Sequence, residues 1–339
     1  AGRIADGKLN YSPTHRAPDG VAPLWPQAER VDGSFLFDRA RMEIRAERGA
    51  TLGVALSNVK AVIADLALHD KMLEIDGSAA GPMHEFLRYV SASPVAGWIG
   101  HFTDDTRATG NAKLGLKLQL PLARLPETRV QGSLQLINND VVLFNDLPAV
   151  LAANGKIDFY ERGFSLNGVG GSFVGGPLGL AGGTQRDGAI AIRMAGTVSA
   201  EGVRKTFPSP AMQRLSNHLS GSTRYTGAVE VRERKVQVTV DSTMAGLGLD
   251  FPAPLKKAEA DALPLRFTMS GAPGGEGGIS RDDLRISLGN AIAARYERQK
   301  QGKEAWRVLR GGIGVNTPAP EPDSGVMINV NVKSLNVDQ

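Results

Sequence analysis

Five histidines, two pairs of adjacent aspartates and one glycine-rich stretch are the residues whose types could support catalysis or ligand binding. His84-Glu85 resembles the start of a zinc-protease helix, in which a second histidine stands at the fifth position. Arg88 occupies that position here. Arginine does not supply a metal-binding lone pair, so the metal interpretation fails. The other histidines form no metal pair and place no base beside a nucleophile; they are His15, His69, His101 and His218.

The aspartate pairs, Asp104-Asp105 and Asp282-Asp283, could be acid/base carboxylates. Adjacent strand residues point to opposite faces, so this spacing argues against a shared site. The glycine-rich residues 168–183 lack the spacing of a dinucleotide fingerprint and of a phosphate-binding loop that ends in Lys and Ser/Thr. Turns and tight strand crossings account for them better. We therefore expect no enzyme, no catalytic residue, no metal site and no cofactor.

The element that dominates the sequence is an alternating segment at residues 108–122. Leu114, Leu116, Leu118 and Leu120 are spaced by two, whereas the intervening positions include Lys113, Lys117 and Gln119. Because strand side chains alternate between the two faces, this pattern predicts a strand with one apolar and one wet face. Pro121 cannot donate to a ladder and should end the strand.

Similar alternation, usually around one glycine, returns at residues 31–37, 130–136, 153–159 and 225–231, without a fixed period. Glycine is 41 of 339 residues and aromatic residues only 6%, which suits many short strands around a thin apolar layer. We predict a mainly β fold: an elongated, curved antiparallel sheet that forms a hydrophobic groove, with a few short helices. Residues 1–30 should be extended and loop-like.

Helical spacing occurs at residues 83–102, with one stripe on each side of Ser93-Pro94. Serine before proline is typical of a helix start, so Ser93 should cap the second helix, and Ser209-Pro210 a third that Gly221 closes. We expect the stripes to pack on the apolar sheet face, because the adjacent polar face has almost no Lys or Arg to meet lipid headgroups. A membrane-surface helix and a cavity plug are the alternatives.

The net charge of +4 is concentrated at residues 281–310, which hold eight basic and four acidic residues. No aromatic ladder accompanies them, so a solvated strand face or contact with an anionic surface is favoured and nucleic acid is not an expected partner. We expect no bilayer-spanning run in this sequence, which reads as a piece of a longer protein. It should be one continuous β-groove segment, with soft boundaries near 199–221 and 271–278; residues 317–325 are another flexible connection.

The predicted strands offer more apolar surface than about three helices can cover, and exposed apolar area of that kind indicates a binding surface. Acyl chains filling a groove are one explanation, and an ordinary β-sandwich is the other. The residues expected to line the groove are Leu114, Leu116, Leu118, Leu120, Leu134, Leu136, Ile157, Phe159, Val229, Val231, Val236, Val238, Val240, Ile328 and Val330.

Several motifs together resemble the YhdP group of large AsmA-like envelope proteins of Gram-negative bacteria. They are Ser93-Pro94-Val95-Ala96-Gly97-Trp98, Thr109-Gly110-Asn111, the 114–122 strand, Gly175-Gly176-Pro177, the LDFPAPL stretch at 249–255 and Leu335-Asn336-Val337-Asp338. The resemblance implies a periplasmic protein, anchored in the inner membrane by a helix absent from this sequence, whose bent antiparallel sheet conducts phospholipid toward the outer membrane.

On that basis the expected partners are phospholipid acyl chains and, through other parts of the protein, the inner and outer membranes, with the protein a monomer. A structural or adhesin-like β-protein with a self-filled core and no lipid cargo is the alternative. An enzyme acting on envelope glycans would need an acid/base pair, and the sequence nominates none.

Overall fold

The structure of the chain is a computed structural model. It describes residues 1–10, 24–124, 127–144, 147–233, 235–272, 278–302 and 304–332. Among these residues there are 20 strands and four short helices, which confirms the prediction of a mainly β, mostly antiparallel chain. The chain divides into two units, Ala1–Gly171 and Ser172–Gln339.

The first unit is a sheet in which most strands pair with the strands next to them in the sequence, so the alternation of these strands is carried across the ladder. The order is β1-β2-β3-β4-β5-β7-β8-β9, with every pair antiparallel, and β10 pairs with β9. The short β6 extends the ladder beside β8. The strands are β1 Gly2–Leu9, β2 Ala28–Asp38, β3 Arg41–Thr51, β4 Val54–Ile63, β5 Met72–Pro82, β6 Arg107–Ala108, β7 Asn111–Pro121, β8 Arg129–Val142, β9 Val150–Tyr160 and β10 Gly163–Phe173; the helices are α1 Met83–Ser91 and α2 Val95–Trp98.

The second unit repeats this plan with one parallel pair. The order is β11-β12-β13-β14-β16-β17-β18-β19-β20, the last pair is parallel, and β15 pairs with the start of β13. The strands are β11 Gly176–Thr184, β12 Ile190–Ser199, β13 Leu219–Arg232, β14 Lys235–Ser242, β15 Leu247–Leu249, β16 Leu265–Ala272, β17 Ile279–Leu288, β18 Ile292–Gln301, β19 Arg307–Val315 and β20 Gly325–Val330; the helices are α3 Ala200–Thr206 and α4 Pro210–Asn217.

The loop at 316–324, which makes the parallel crossover, lies against β19. A Cβ atom at Gly312 would stand 1.9 Å from the carbonyl oxygen of Pro320, so only glycine admits this approach. Glu321 of the loop binds Arg295 of β18 at 2.5 Å. Residues 317–325 are therefore a packed crossover and not the free linker that the sequence suggested. Residues 273–277 of the other predicted connection lie outside the described residues.

The enclosed core is small. In the second unit Ala200, Met244, Leu247 and Leu249 form a buried cluster, against which Leu219, Phe251, Leu263, Leu265 and Leu288 pack. Among the described residues, the largest side chains less than 2% exposed are Asn139 and Ser216, both polar. Thus no large apolar side chain of the described residues is completely enclosed. In the interior of an ordinary β-sandwich, large apolar side chains are fully enclosed.

The helix predictions hold for position and only partly for capping. Ser209 accepts from the backbone N–H of Met212 at 3.4 Å, as predicted. Ser93 is not the cap of α2: Pro94 takes that place, without a side-chain bond, and the Ser93 hydroxyl donates to the carbonyl of Val90. Gly221 does not close α4, which ends at Asn217; it lies in β13, at a φ of 74° that favours glycine.

Two stretches that were expected to be irregular contain strands. Residues 2–9 form β1, which antiparallel pairing with β2 stabilises although local alternation is weak. The glycine-rich residues 168–183 belong to β10 and β11, joined by a turn at residues 174–175. Glycine is required there by close backbones: a Cβ atom at Gly176 would stand 2.1 Å from the carbonyl oxygen of Thr197. Residues 11–23 lie outside the described residues.

Glu43 of β3 gives the fold a specific acid sensitivity. Arg41 donates to its carboxylate at 2.7 Å and Arg45 donates to the other oxygen, and these hydrogen bonds lower the pKa of Glu43 from 4.5 to about 2. A carboxyl group with a depressed pKa stabilises the folded state above its unfolded pKa and loses that contribution as pH falls. Glu43→Gln should therefore lower the urea midpoint at pH 6 but not near pH 2, with the difference disappearing between pH 4.5 and 2. Parallel midpoint curves for the two proteins over that range would contradict this assignment.

Candidate functional site

Strand β7 has the two-sided character that its sequence predicts. Leu114, Leu116, Leu118 and Leu120 are half-buried, whereas Lys113, Lys117 and Gln119 on the other face are exposed. Lys117 lies 3.6 Å from Asp76 of the adjacent β5, so the wet face carries cross-strand ion pairs. The apolar and charged faces are therefore separated by the pleat of the strand alone.

The ladder brings the predicted residues of the first unit to one face. Leu114 is opposite Leu134, which is opposite Ile157. Leu118 stands between Ile75 and Val130. The predicted residues of this face, which we call the first apolar face, are Leu114, Leu116, Leu118, Leu120, Leu134, Leu136, Ile157 and Phe159.

The same register adds residues that the sequence analysis did not select. They continue the rows of β7 into β2, β3, β4, β5 and β8, and they are Phe35, Phe37, Met42, Ile44, Ile63, Leu73, Ile75 and Val130. Their signal was the same two-residue spacing, in shorter runs. Of the eight predicted residues only Leu136 is buried, and the other seven are half-buried.

The second unit has an equivalent surface, the second apolar face. One row runs Val229, Val238, Met269, Leu284 and Tyr296. The predicted residues that lie on this face are Val229, Val231, Val236, Val238, Val240, Ile328 and Val330. Those that the sequence analysis missed are Leu180, Ile190, Ile192, Met194, Phe267, Met269, Leu284, Ile286, Leu288, Ile292, Tyr296, Ile313 and Val315. Ile328 and Val330 of β20 are 59% and 49% exposed.

The apolar residues of the first two helices are less buried than the sequence predicted. The stripe of α1 is half-buried, but Trp98, Ile99 and Phe102, at and after α2, are 63%, 41% and 56% exposed. The prediction that this second stripe packs on the sheet is therefore wrong. Trp98 instead contacts Trp25, with ring centroids 5.5 Å apart, and Phe102 contacts Phe144 at 5.7 Å. These aromatic contacts leave Trp98, Phe102 and Phe144 exposed.

The opposite face of the second unit carries most of the charge of residues 281–310. Asp283 accepts from Arg285 and Arg295 at 2.9 Å each, and Arg310 donates to Glu297 at 2.6 Å. Burial raises the pKa of Asp283, but the hydrogen bonds from the two arginines outweigh burial and hold the pKa below its usual value. This is a solvated, ion-paired strand face, one of the two interpretations open from the sequence.

The residues considered for catalysis or metal binding are dispersed. Asp282 and Asp283 point to opposite faces, as expected, whereas Asp104 and Asp105 lie in a turn, so the strand argument does not apply to them. His101 pairs with Asp104 at 3.1 Å, and His218 contacts the backbone oxygen of Asp250 at 2.8 Å. Across the residues that the structure describes, no three His, Cys, Asp or Glu side chains are grouped to hold a metal ion. His15 lies outside them.

Comparison with known proteins assigns the family. The model of the YhdP protein family matches residues 1–339, the whole chain. The chain belongs to the YhdP family. The expected resemblance is thereby confirmed.

One curated relative in this family is the intermembrane phospholipid transporter YhdP of Escherichia coli strain K12. It is 22% identical over 269 residues, which are 76% of this chain and 20% of the relative. The chain thus corresponds to about a fifth of that transporter. No solved structure is significantly similar to the chain. Of the described helices, none has the length and hydropathy needed to cross a bilayer.

Proposed function

We propose that this YhdP-family chain is a non-enzymatic segment of a periplasmic hydrophobic conduit, which carries phospholipid between the inner and outer membranes. The acyl chains lie on the first and second apolar faces, and the membranes are reached through other parts of the protein. The observation that carries the proposal is the register: apolar residues of successive strands stand opposite one another, yet their side chains remain half-exposed.

Hydrocarbon is the natural complement of such a surface. Rows like Ile75, Leu118 and Val130 offer neighbouring apolar side chains with no hydrogen-bonding groups between them. Each acyl methylene removed from water contributes about 0.8 kcal/mol, so a chain of about sixteen carbons contributes about 13 kcal/mol before the costs of binding. The name of the E. coli relative supports phospholipid as the cargo.

Bound lipid is the direct test. The chain is incubated with vesicles of phosphatidylethanolamine and phosphatidylglycerol, repurified without detergent, and analysed by native mass spectrometry. We expect a mass increase equal to one or more phospholipids, released as intact lipid on denaturation. A protein that emerges without lipid would contradict the proposal and favour a structural β-protein without cargo.

A further inference from the structure

Three charged residues interrupt the second apolar face near one end of its strands. In β17 and β18 the face is formed by the even-numbered positions, such as Leu284 and Tyr296. Asp282 and Arg298 stand opposite each other in the next row, followed by Lys300 opposite Ser280. These residues therefore point with the apolar side chains, whereas Arg285, Arg295 and Arg310 lie on the other face.

The pair is tightly built. Arg298 donates from Nε to one oxygen of Asp282 at 3.0 Å and from Nη2 to the other at 2.7 Å, and the Asp282 side chain is only 3% exposed. The guanidinium carbon of Arg298 lies 4.7 Å from the ring centroid of Trp306, and Nζ of Lys300 lies 5.0 Å from it. Two cations thus share one aromatic ring.

Stability gives little reason for this arrangement. The Asp282 carboxylate is buried whereas the Arg298 side chain is 27% exposed, so the carboxylate loses hydration that the attraction barely recovers, and an apolar pair of similar volume is commonly as stable. The fork geometry suggests another use. A guanidinium has five N–H donors, and the side-on contact with Asp282 engages one on Nε and one on Nη2. These two hydrogen bonds to Asp282 fix the plane of the guanidinium. The remaining N–H donors of Arg298 point away from the carboxylate.

The position matches one end of an amphiphile. From the Asp282–Arg298 row, the face continues through Leu284 and Ile286 to Leu288, six residues away, or about 20 Å at about 3.3 Å per residue. There Leu288 packs against the buried cluster of Ala200, Met244, Leu247 and Leu249. An acyl chain spans about 15 Å of a bilayer leaflet, so it fits along the face between the charged row and Leu288.

We propose that Arg298, oriented by Asp282, and Lys300 bind the phosphate of a phospholipid whose acyl chains lie along the second apolar face, with Trp306 beside the headgroup. This site rests on the proposed function and adds to it the residues that recognise the phosphate of the lipid. Arg298 and Lys300 contact the phosphate, and Asp282 is a positioning residue. Charge-assisted hydrogen bonds to phosphate from a held guanidinium supply this recognition.

The test compares two lipids with identical acyl chains. The protein is incubated with mixed vesicles of phosphatidylglycerol and diacylglycerol, and native mass spectrometry gives the ratio of the two bound lipids. We expect the wild type to prefer phosphatidylglycerol, and the double variant Asp282→Leu/Arg298→Leu to lose about tenfold of that preference while still binding lipid. Lys300→Met, which keeps the Asp282–Arg298 ion pair, should lose several-fold of that preference.

The control removes one carboxylate and one guanidinium from the opposite face of β17, in Asp283→Leu/Arg285→Leu, and should keep the wild-type ratio. Urea midpoints verify that each variant folds. An unchanged ratio in folded Asp282→Leu/Arg298→Leu and in Lys300→Met overturns the headgroup site and leaves the conduit standing. Failure of the wild type to bind either lipid overturns both. Excess inorganic phosphate should not displace the bound phospholipid; displacement would identify a free-anion site and overturn this assignment.

Discussion

Replacing Leu116 and Leu118 by aspartate is expected to reduce the phospholipid bound to the chain by more than tenfold. Leu118 stands between Ile75 and Val130, and Leu116 between two glycines, Gly77 and Gly132. Two carboxylates there would lose their hydration beneath an acyl chain, and the burial of two leucine side chains against lipid would be lost as well. Native mass spectrometry after vesicle incubation measures the loss.

The matched control places the same two charges on the other face of the neighbouring strand. Gln131 and Gln135 of β8 are exposed, and they stand opposite Lys117 and Lys113. The control Gln131→Asp/Gln135→Asp should therefore bind lipid as the wild type does. If both double variants retain lipid equally, the first apolar face does not contact the cargo.

Substituting Lys257 by methionine is expected to lower the free energy of unfolding by about 3 kcal/mol, because buried acceptors would lose a charged donor. Lys257 is 6% exposed. Its ammonium donates to the carbonyl oxygens of Leu247 at 2.7 Å, Ala258 at 2.9 Å and Asp261 at 2.7 Å, which satisfies all three of its protons. Urea unfolding followed by circular dichroism measures the change.

The adjacent lysine supplies the comparison. Lys256 is 74% exposed in its side chain and lies 3.6 Å from Asp250. Because exposed ion pairs contribute little, Lys256→Met should change the unfolding free energy by less than about 1 kcal/mol. Equal effects of the two substitutions would show that the buried ammonium does not hold the loop between β15 and β16.

Local alternation made most strands predictable, and its absence explains the strands that were missed. The alternating leucines of β7 predict a strand without any knowledge of the strands that pair with it. β1 and β11 do not, because their glycines hide the period and pairing with β2 and β12 supplies the stability. One of the two helix-cap predictions was correct. Ser209 accepts a hydrogen bond from a backbone N–H of α4, whereas Pro94, and not Ser93, occupies the N-cap position of α2.

The sequence predicted that the candidate surface would be an apolar strand face, but it identified only part of the residues on that face. Every selected residue reaches one face of its unit, because a strict period of two fixes the side. Phe267 and Tyr296 were passed over although the same rule applies to them. The side taken by Arg298 follows from the unbroken register of β17 and β18, which no local composition reveals. That these surfaces bind lipid, and that the chain is one continuous groove with soft boundaries near 199–221 and 271–278, stay predictions.

The helices α1 and α2 branch from the ladder between two strands that are already hydrogen-bonded partners. Pro82 at the end of β5 stands opposite Asn111 at the start of β7. A two-residue reverse turn could in principle join these strands, since antiparallel neighbours need no longer connection. We therefore expect that residues 83–106, which precede the pairing of β6 with β8, can vary in length or accept a grafted tag or fluorophore while the rows of the first apolar face keep their alignment.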